Sequence, residues 1–238
     1  MRLTFMFVMA VSLAQAFAPP IFGITAIFSP VRGKTLEQIS QSANRRLDLN
    51  DASDFFVDAF WTAKVGGGSR RLSDRQTADL KQSQFAEFTR RYGGSRSSEF
   101  FIIRNQQEEI IGCAGVEIDS IRDGDMRGPV LTTAPLMSNV AVSRSYRRRG
   151  LAEDLVKAVE QHCRDVWGYD ECYLYVEERN RGAVKLYEKL GYRSIWRDLS
   201  ATTLLPTDRG NLESVPTRLL CMRKDLNGGG GLFANLFG

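Results

Sequence analysis

The chain has 238 residues, of which 43% are apolar, 25% charged and 10% aromatic. That length holds one well-buried domain with appendages, or at most two small domains, and the balance excludes a disordered chain, a collagen and a coiled coil. Its 32 basic and 28 acidic residues leave a net charge of +4, too small an excess for the concentrated basic face of a nucleic-acid binder but compatible with one anionic ligand.

Arg2 precedes a largely apolar run from Leu3 to Ala14, followed by Gln15 and Ala16. A positive start, a short apolar core and a small-residue end are the parts of a signal peptide, here with Ala14-Gln15-Ala16 as cleavage site. The run is shorter than the ~20 apolar residues of a spanning helix. Residues 17–46 carry Ser, Thr and Pro, the basic residues Arg32, Lys34, Arg45 and Arg46, and a single acid, Glu37. That is the make-up of a transit peptide. Ala16-Phe17-Ala18-Pro19 resembles the signal–transit junction of bipartite plastid presequences in algae with secondary plastids. A plain secretory signal or a membrane anchor is the alternative. Residues 1–16 are thus read as a signal peptide and 17–45 as a transit-like segment, the fold is expected to begin at residue 46, and no stable membrane insertion is expected once the presequence is removed.

Leu47-Asp48-Leu49 reads as a short strand, with Asn50 or Asp51 capping a helix on which Phe55, Phe56, Ala59 and Phe60 recur at helical spacing. Gly66 to Ser69 is a loop. A second helix runs from about Asp74 to Tyr92 and stops at Gly93-Gly94-Ser95. Phe100 to Ile103 and Glu109 to Ile118 are strands joined by a polar turn, and Leu136 to Val142 is another. Beyond Gly150, Leu151, Leu155, Val159 and Val166 form one helical face, with Glu153, Asp154 and Glu160 opposite or beside it. Cys172 to Val176 is a strand, Gly182 to Leu190 a short helix ended by Gly191, and Ser194–Leu199 and Arg218–Met222 are strands. Residues 227–238, with four consecutive glycines, read as a flexible tail. The sum is an α/β chain with a mixed sheet flanked by helices.

The strand–loop–helix unit from Leu136 to Val166 carries the chemistry. Its helix opens on Arg147-x-x-Gly150-x-Ala152. A helix N-terminus offers unpaired N–H groups and partial positive charge, small residues let a phosphate approach, and Arg144, Arg147, Arg148 and Arg149 add charge. A solvated loop or a nucleic-acid contact would use the same residues. The dinucleotide fingerprint and the P-loop are both missing. Downstream, Leu174 to Asn180 leads into Ala183-Val184-Lys185-Leu186-Tyr187-Glu188-Lys189-Leu190-Gly191-Tyr192. The pairing of this string with Arg-x-x-Gly-x-Ala resembles the GNAT superfamily of acetyl-CoA-dependent N-acetyltransferases, over roughly residues 46–226 and most strongly over 136–193.

That resemblance implies a central, mostly antiparallel sheet of about seven strands with about four helices, and acetyl-CoA as acetyl donor. It places Val140, Ala141 and Val142 on the strand that pairs with the pantetheine arm and Arg147, Arg148, Arg149, Gly150, Leu151 and Ala152 around the diphosphate. Asn180 would hydrogen-bond the arm, and Tyr187 would lie near the thioester sulfur, able to protonate it. The family's usual base positions hold Tyr175 and Leu136, so a water relay through Tyr175 or Glu177 is expected, with Glu117 a further candidate. The loop and C-terminal strand look like the branch acting on proteins, on N-terminal α-amines, lysines or both. A small-amine acetyltransferase and a non-catalytic CoA-binding sensor are the alternatives.

Other chemistries have less to stand on. Cys113, Cys163, Cys172 and Cys221 lack the short spacing of a zinc site, and His162 is the single histidine, so neither a metal site nor a His-based triad is expected. His162 reads as a packed residue, and the cysteines as reduced and non-nucleophilic. A nucleic-acid module on the arginine loop would lack interleaved aromatic positions.

Overall fold

The run Phe100-Phe101-Ile102-Ile103 sets the layering, because all four side chains are buried. Alternation along a strand sends Phe100 and Ile102 to one cluster and Phe101 and Ile103 to another. The computed structural model describes residues 30–31, 34–61, 67, 70–123 and 130–227. The expected signal peptide, most of the transit-like stretch, the Gly66–Ser69 loop apart from Gly67, and the tail from Gly228 on lie outside those residues.

The elements in order are β1 (Pro30–Val31), β2 (Lys34–Gln38), α1 (Arg45–Phe56), α2 (Asp74–Tyr92), β3 (Ser98–Arg104), β4 (Ile110–Asp123), β5 (Val130–Val142), α3 (Leu151–Asp165), β6 (Glu171–Glu177), α4 (Arg181–Lys189), β7 (Arg193–Asp198), β8 (Thr202–Pro206), β9 (Leu212–Pro216) and β10 (Leu219–Asp225). One sheet has the order β1-β2-β3-β4-β5-β6-β10-β7, and β8 and β9 form a separate hairpin. Every neighbouring pair is antiparallel except β5–β6. The mixed, mostly antiparallel sheet with four α-helices is the expected architecture. Seven strands and the two-residue β1 make it up.

Helices α1 and α2 cover one face, where Leu49, Ala52, Phe56, Phe88 and Tyr92 pack on Phe100, Ile102 and Cys113. Helices α3 and α4 cover the other, where Leu151, Leu155, Val159, Cys163 and Tyr187 pack on Leu174, Val176 and Met222. A fully buried Phe or Leu stabilises by about 1.5–3 kcal/mol, so these stripes dominate folding. Ser73 Oγ accepts from Gln76 N–H at 3.2 Å and starts α2.

Four expectations are corrected. Residues 34–45 are not outside the fold: β2 pairs with β3 from Thr35↔Arg104 to Gln38↔Phe101, and Ile39 is completely buried. Ser40 ties this segment down, its N–H and Oγ both donating to the Glu99 carboxylate. Leu47-Asp48-Leu49 is helix, not strand, because Leu49, Ala52 and Phe56 recur on one buried face. Val166 is exposed at 46% and follows the last turn of α3, so Cys163 completes that apolar face instead. Glu160, read as part of the polar face, is buried and ion-paired with Lys224 at 2.6 Å.

Candidate active site

Strand β5 changes character along its length. It is paired to β4 from Val130 to Val142, but it meets β6 only at Leu136↔Tyr173 and Met137↔Leu174. Beyond Met137 the two strands part. At that point Gly115 faces Ser138 and Cys113 faces Ala141, so Asn139 and Val140 together oppose Ala114. This is a β-bulge. Asn139 adopts φ 55, the left-handed region that costs most residues about 1–2 kcal/mol and that Asn tolerates best after Gly.

The bulge decides which backbone groups face the gap. Ser143 N–H donates to Ile111 C=O at 2.9 Å. Antiparallel alternation then turns the Ala141 groups toward β4 and those of Val140 and Val142 toward the gap. Of the three strand residues expected at the cofactor arm, Val140 and Val142 present donors there, while Ala141 is engaged with β4.

The chain next makes a 3₁₀ turn at Arg144–Tyr146 and enters α3 through Arg148 at φ 62 and Gly150 at φ 87. Gly suits that second backbone state without strain and leaves the helix start open to a ligand. The first i→i−4 bond is Asp154 N–H to Gly150 C=O at 3.0 Å, so the N–H groups of Leu151, Ala152 and Glu153 point out of the helix end. Arg147 turns back rather than outward. Its Nε donates to Val142 C=O at 3.2 Å and its Nη2 to Ala59 C=O at 3.1 Å, clamping the loop to the end of the Val57–Trp61 stretch. Tyr146 lies under two cations, Lys34 at 5.6 Å and Arg149 at 5.2 Å. Behind the loop, a cleft of about 570 Å³ is lined by Asp51, Asp58, Glu108 and Glu109 besides Arg104 and Arg144. That many carboxylates disfavour a diphosphate there.

Asn180 caps α4, its Oδ1 accepting from Ala183 N–H at 3.3 Å. The cap uses the carbonyl end of the amide, and the donor end is the part suited to a ligand. Seven residues on, and so on the same helical face, Tyr187 is buried and sits edge-on to Tyr192 at 5.8 Å. Burial pushes its hydroxyl above the ordinary range, so it keeps its proton. Val140, Val142, Ala183, Val184 and Tyr187 all border one apolar cluster, which brings the gap and α4 together. An open strand edge leading to a donor-lined helix start fits an extended arm ending in a diphosphate.

The opposite face of the sheet carries the other candidates. Tyr175 stands edge-on to Trp196 at 6.1 Å, beside Leu136 and Tyr173. Glu177 accepts from Arg179 Nε at 2.6 Å, Thr203 Oγ1 at 2.8 Å and Thr217 Oγ1 at 3.4 Å. It therefore ties β6 to both ends of the β8–β9 hairpin. Glu117 receives both Nε and Nη2 of Arg91. The hairpin closes this side, Leu204 and Leu212 packing on Val57, Trp61 and Leu80.

A profile of the family described as "Acetyltransferase (GNAT) family" matches residues 56–192, more than half of the chain. The chain belongs to the GNAT family. It is 33% identical over 114 residues, 46% of its length and 37% of the relative's, to a protein named GCN5-related N-acetyltransferase 4, chloroplastic, from Arabidopsis thaliana. It is 27% identical over 95 residues, 40% of its length and 57% of the relative's, to an N-alpha-acetyltransferase of Sulfurisphaera tokodaii. The matched stretches thus span about half of these relatives or less. Two solved structures share the fold. The ribosomal-protein-S18-alanine N-acetyltransferase from Escherichia coli gives a TM-score of 0.51 at 18% identity, covering 86% of this chain and 99% of that one. The spermidine N-acetyltransferase from Vibrio cholerae, in complex with CoA and spermine, gives 0.52 at 13%, covering 82% and 97%.

In this GNAT domain His162 is packed between Phe101 and Trp167 at 5.7 and 4.7 Å, and burial lowers its pKa to about 4. It is neutral at physiological pH and packs on the α3 side of the sheet. All four cysteines are buried free thiols. Burial raises Cys113, and contact with Cys172 together with burial raises Cys163. Among the described residues no group of three or more His, Cys, Asp and Glu could hold a metal ion, and no helix is long and apolar enough to cross a membrane. The sequence reading missed Arg91, Tyr92, Ser138 and Asn139 at the bulge. Gly115, a glycine inside a strand, was the signal available, since such a residue marks a close approach.

Proposed function

We propose that this GNAT domain transfers an acetyl group from acetyl-CoA to an amine, with protein N-terminal α-amines and lysines as acceptors. The observation that carries the reading is the strand edge at Val140 and Val142, without a partner strand on the β6 side, running into the helix start at Gly150. Acetyl-CoA, when bound, supplies an acetyl group on a thioester. The N–H groups of Val140 and Val142 would hold the arm, those of Leu151 to Glu153 would hold the diphosphate, and Arg148 and Arg149 would add charge. Asn180 would orient the arm. Tyr187 would give the proton of its hydroxyl to the departing thiolate.

The acceptor side supports a protein amine over a polyamine. Glu117 and Glu177 are already held by Arg91 and Arg179, which leaves them little attraction for a polycation. A weak base also suits an α-amine. Roughly a third of α-amines are neutral at pH 7.5, against about one lysine in a thousand. Tyr175 would accept the proton through water. The N-alpha-acetyltransferase relatives point the same way.

The test is to incubate the full chain with acetyl-CoA and a peptide library, or with spermidine, and locate the acetyl group by mass spectrometry. Acetylated peptide N-termini or lysines support the reading. Acetylated spermidine alone moves it to small amines, and tight CoA binding without CoA release makes the chain a sensor. Tyr187→Phe is expected to lower kcat about 10–100-fold with little change in KM. Unchanged turnover would remove Tyr187 from the chemistry.

The domain works in a plastid under this proposal. The Arabidopsis relative is named chloroplastic, and the leader has a signal–transit pattern. Because β2 begins at Lys34, a transit segment would end upstream of that residue. Residues 1–33 fused to a fluorescent protein should reach the plastid of an alga with a secondary plastid, and retention in the secretory pathway would overturn the assignment.

A further inference from the structure

The last turn of α2 reaches the bulge through side chains that the chemistry above leaves unused. Tyr92 Oη accepts from Asn139 Nδ2 at 3.1 Å and shares a hydrogen bond with Ser138 Oγ at 3.3 Å. Asn139 Nδ2 also donates to Ser138 Oγ at 3.2 Å. Arg91 Nη2 donates to the same Ser138 Oγ at 2.9 Å while its guanidinium grips Glu117 of β4. The Tyr92 ring is buried, tilted against Phe100 at 4.8 Å and edge-on to Phe88 at 5.7 Å. Burial pushes its hydroxyl up to about 12, so Tyr92 stays a neutral hydrogen-bonding group.

Strand β4 is shaped to admit this side chain. A Cβ placed on Gly115 would collide with Tyr92 Oη and would lie 2.7 Å from Tyr92 Cζ. Glycine there is an independent sign that the hydroxyl's position matters, since the ring alone could pack a little further out. Cys113 Sγ adds a weak bond to Asn139 C=O at 3.3 Å. Asn139 is thus held by its side chain and its carbonyl in a backbone state that turns the next residues toward the gap.

We infer that Arg91 and Tyr92 are positioning residues of the transfer site: by latching Asn139 and Ser138 they fix the bulge, and the bulge sets the direction of the Val140 and Val142 N–H groups. The inference rests on the proposed function for its kinetic consequence, though not for its structural one. A helix on the acceptor face thereby controls donors that serve the ligand in the gap. Placement errors of about 1 Å at such donors cost up to about 100-fold in rate.

The decisive variant is Tyr92→Phe in the full chain, which removes one oxygen and keeps the ring. It should lower kcat at least 10-fold with the acceptor KM within twofold, and speed hydrogen exchange at the Ala141 and Ser143 amides, which the bulge holds in register with β4, relative to those of β3. Gly115→Ala, which pushes the tyrosine aside, should do the same. Asn139→Gly keeps the left-handed backbone but removes the amide, so it should resemble Tyr92→Phe and separate the latch from simple relief of strain. Faster exchange at Ala141 and Ser143 in Tyr92→Phe supports the latch even in a chain that transfers no acetyl group, an outcome that would sink the proposed function alone. Exchange unchanged at those two amides, or a Tyr92→Phe protein with wild-type kcat in an active chain, would overturn the latch.

Discussion

The two faces of the sheet are assembled in different ways. The strand end, loop and helices that line the α3–α4 side of the gap come from one stretch of chain, residues 136–189, although the core beneath them also takes Leu36, Phe101, Ile103 and Met222. The α1–α2 face gathers Ile39, both helices, the β8–β9 hairpin and buried positions of β3 and β4. A diphosphate can be met by backbone amides around a single turn, and a neighbourhood in sequence suffices for that. An acceptor has to be shaped by side chains, and those are brought in from distant segments. The bulge at Asn139 is where the two constructions meet, held from one face and used from between the strands.

The largest test of that contrast is at Ile39. If the N-terminal segment is integral to the fold, with Ile39 on the α1–α2 face, Ile39→Ala should lower stability by about 2–5 kcal/mol in urea titration. A loss under 1 kcal/mol would put β2 outside the cooperative unit. The α3 face should instead be the acid-labile one. The folded-state pKa of His162 lies near 4, below the usual 6.5, so the folded state binds fewer protons than the unfolded one between these values. Its contribution is full above pH 6.5 and is lost as pH falls toward 4, by about 3 kcal/mol. His162→Phe should flatten that decline in pH-dependent melting. A smaller effect is expected at Gly150, whose φ of 87 strains any β-branched side chain. Gly150→Val should weaken CoA binding about 10–100-fold by calorimetry, with the acceptor face unchanged. The smallest is Ser73→Ala, which removes the cap of α2 and should cost about 1 kcal/mol without altering CoA affinity.

The same contrast explains what could be read from the chain. Helix α2 was legible to the residue because Ser73 caps it and Gly93 ends it. The β6–α4 unit was equally clear, since its apolar spacing and its Asn180 and Gly191 punctuation are local. Strand β2 was not, because Lys-Thr-Leu-Glu-Gln carries one apolar residue and acquires its strand character from β3, about 65 positions away. The β8–β9 hairpin was missed although Asp208-Arg209-Gly210-Asn211 has turn chemistry. At the site, the helix start at Gly150 followed from motif spacing, while the proposed latch required knowing that Tyr92 and Gly115 occupy the same place. Strand alternation alone brought Glu177 forward as a candidate, and two of its three donors, Thr203 and Thr217, come from segments that the sequence does not place beside it.

The sheet is joined across its middle by two residue pairs, Leu136↔Tyr173 and Met137↔Leu174. On one side lie five strands and on the other three, so the join is a seam. Amides flanking a seam open more readily than those inside either block. A molecule laid along the open part supplies the missing rung and welds the blocks, so the melting temperature should climb with the logarithm of its concentration.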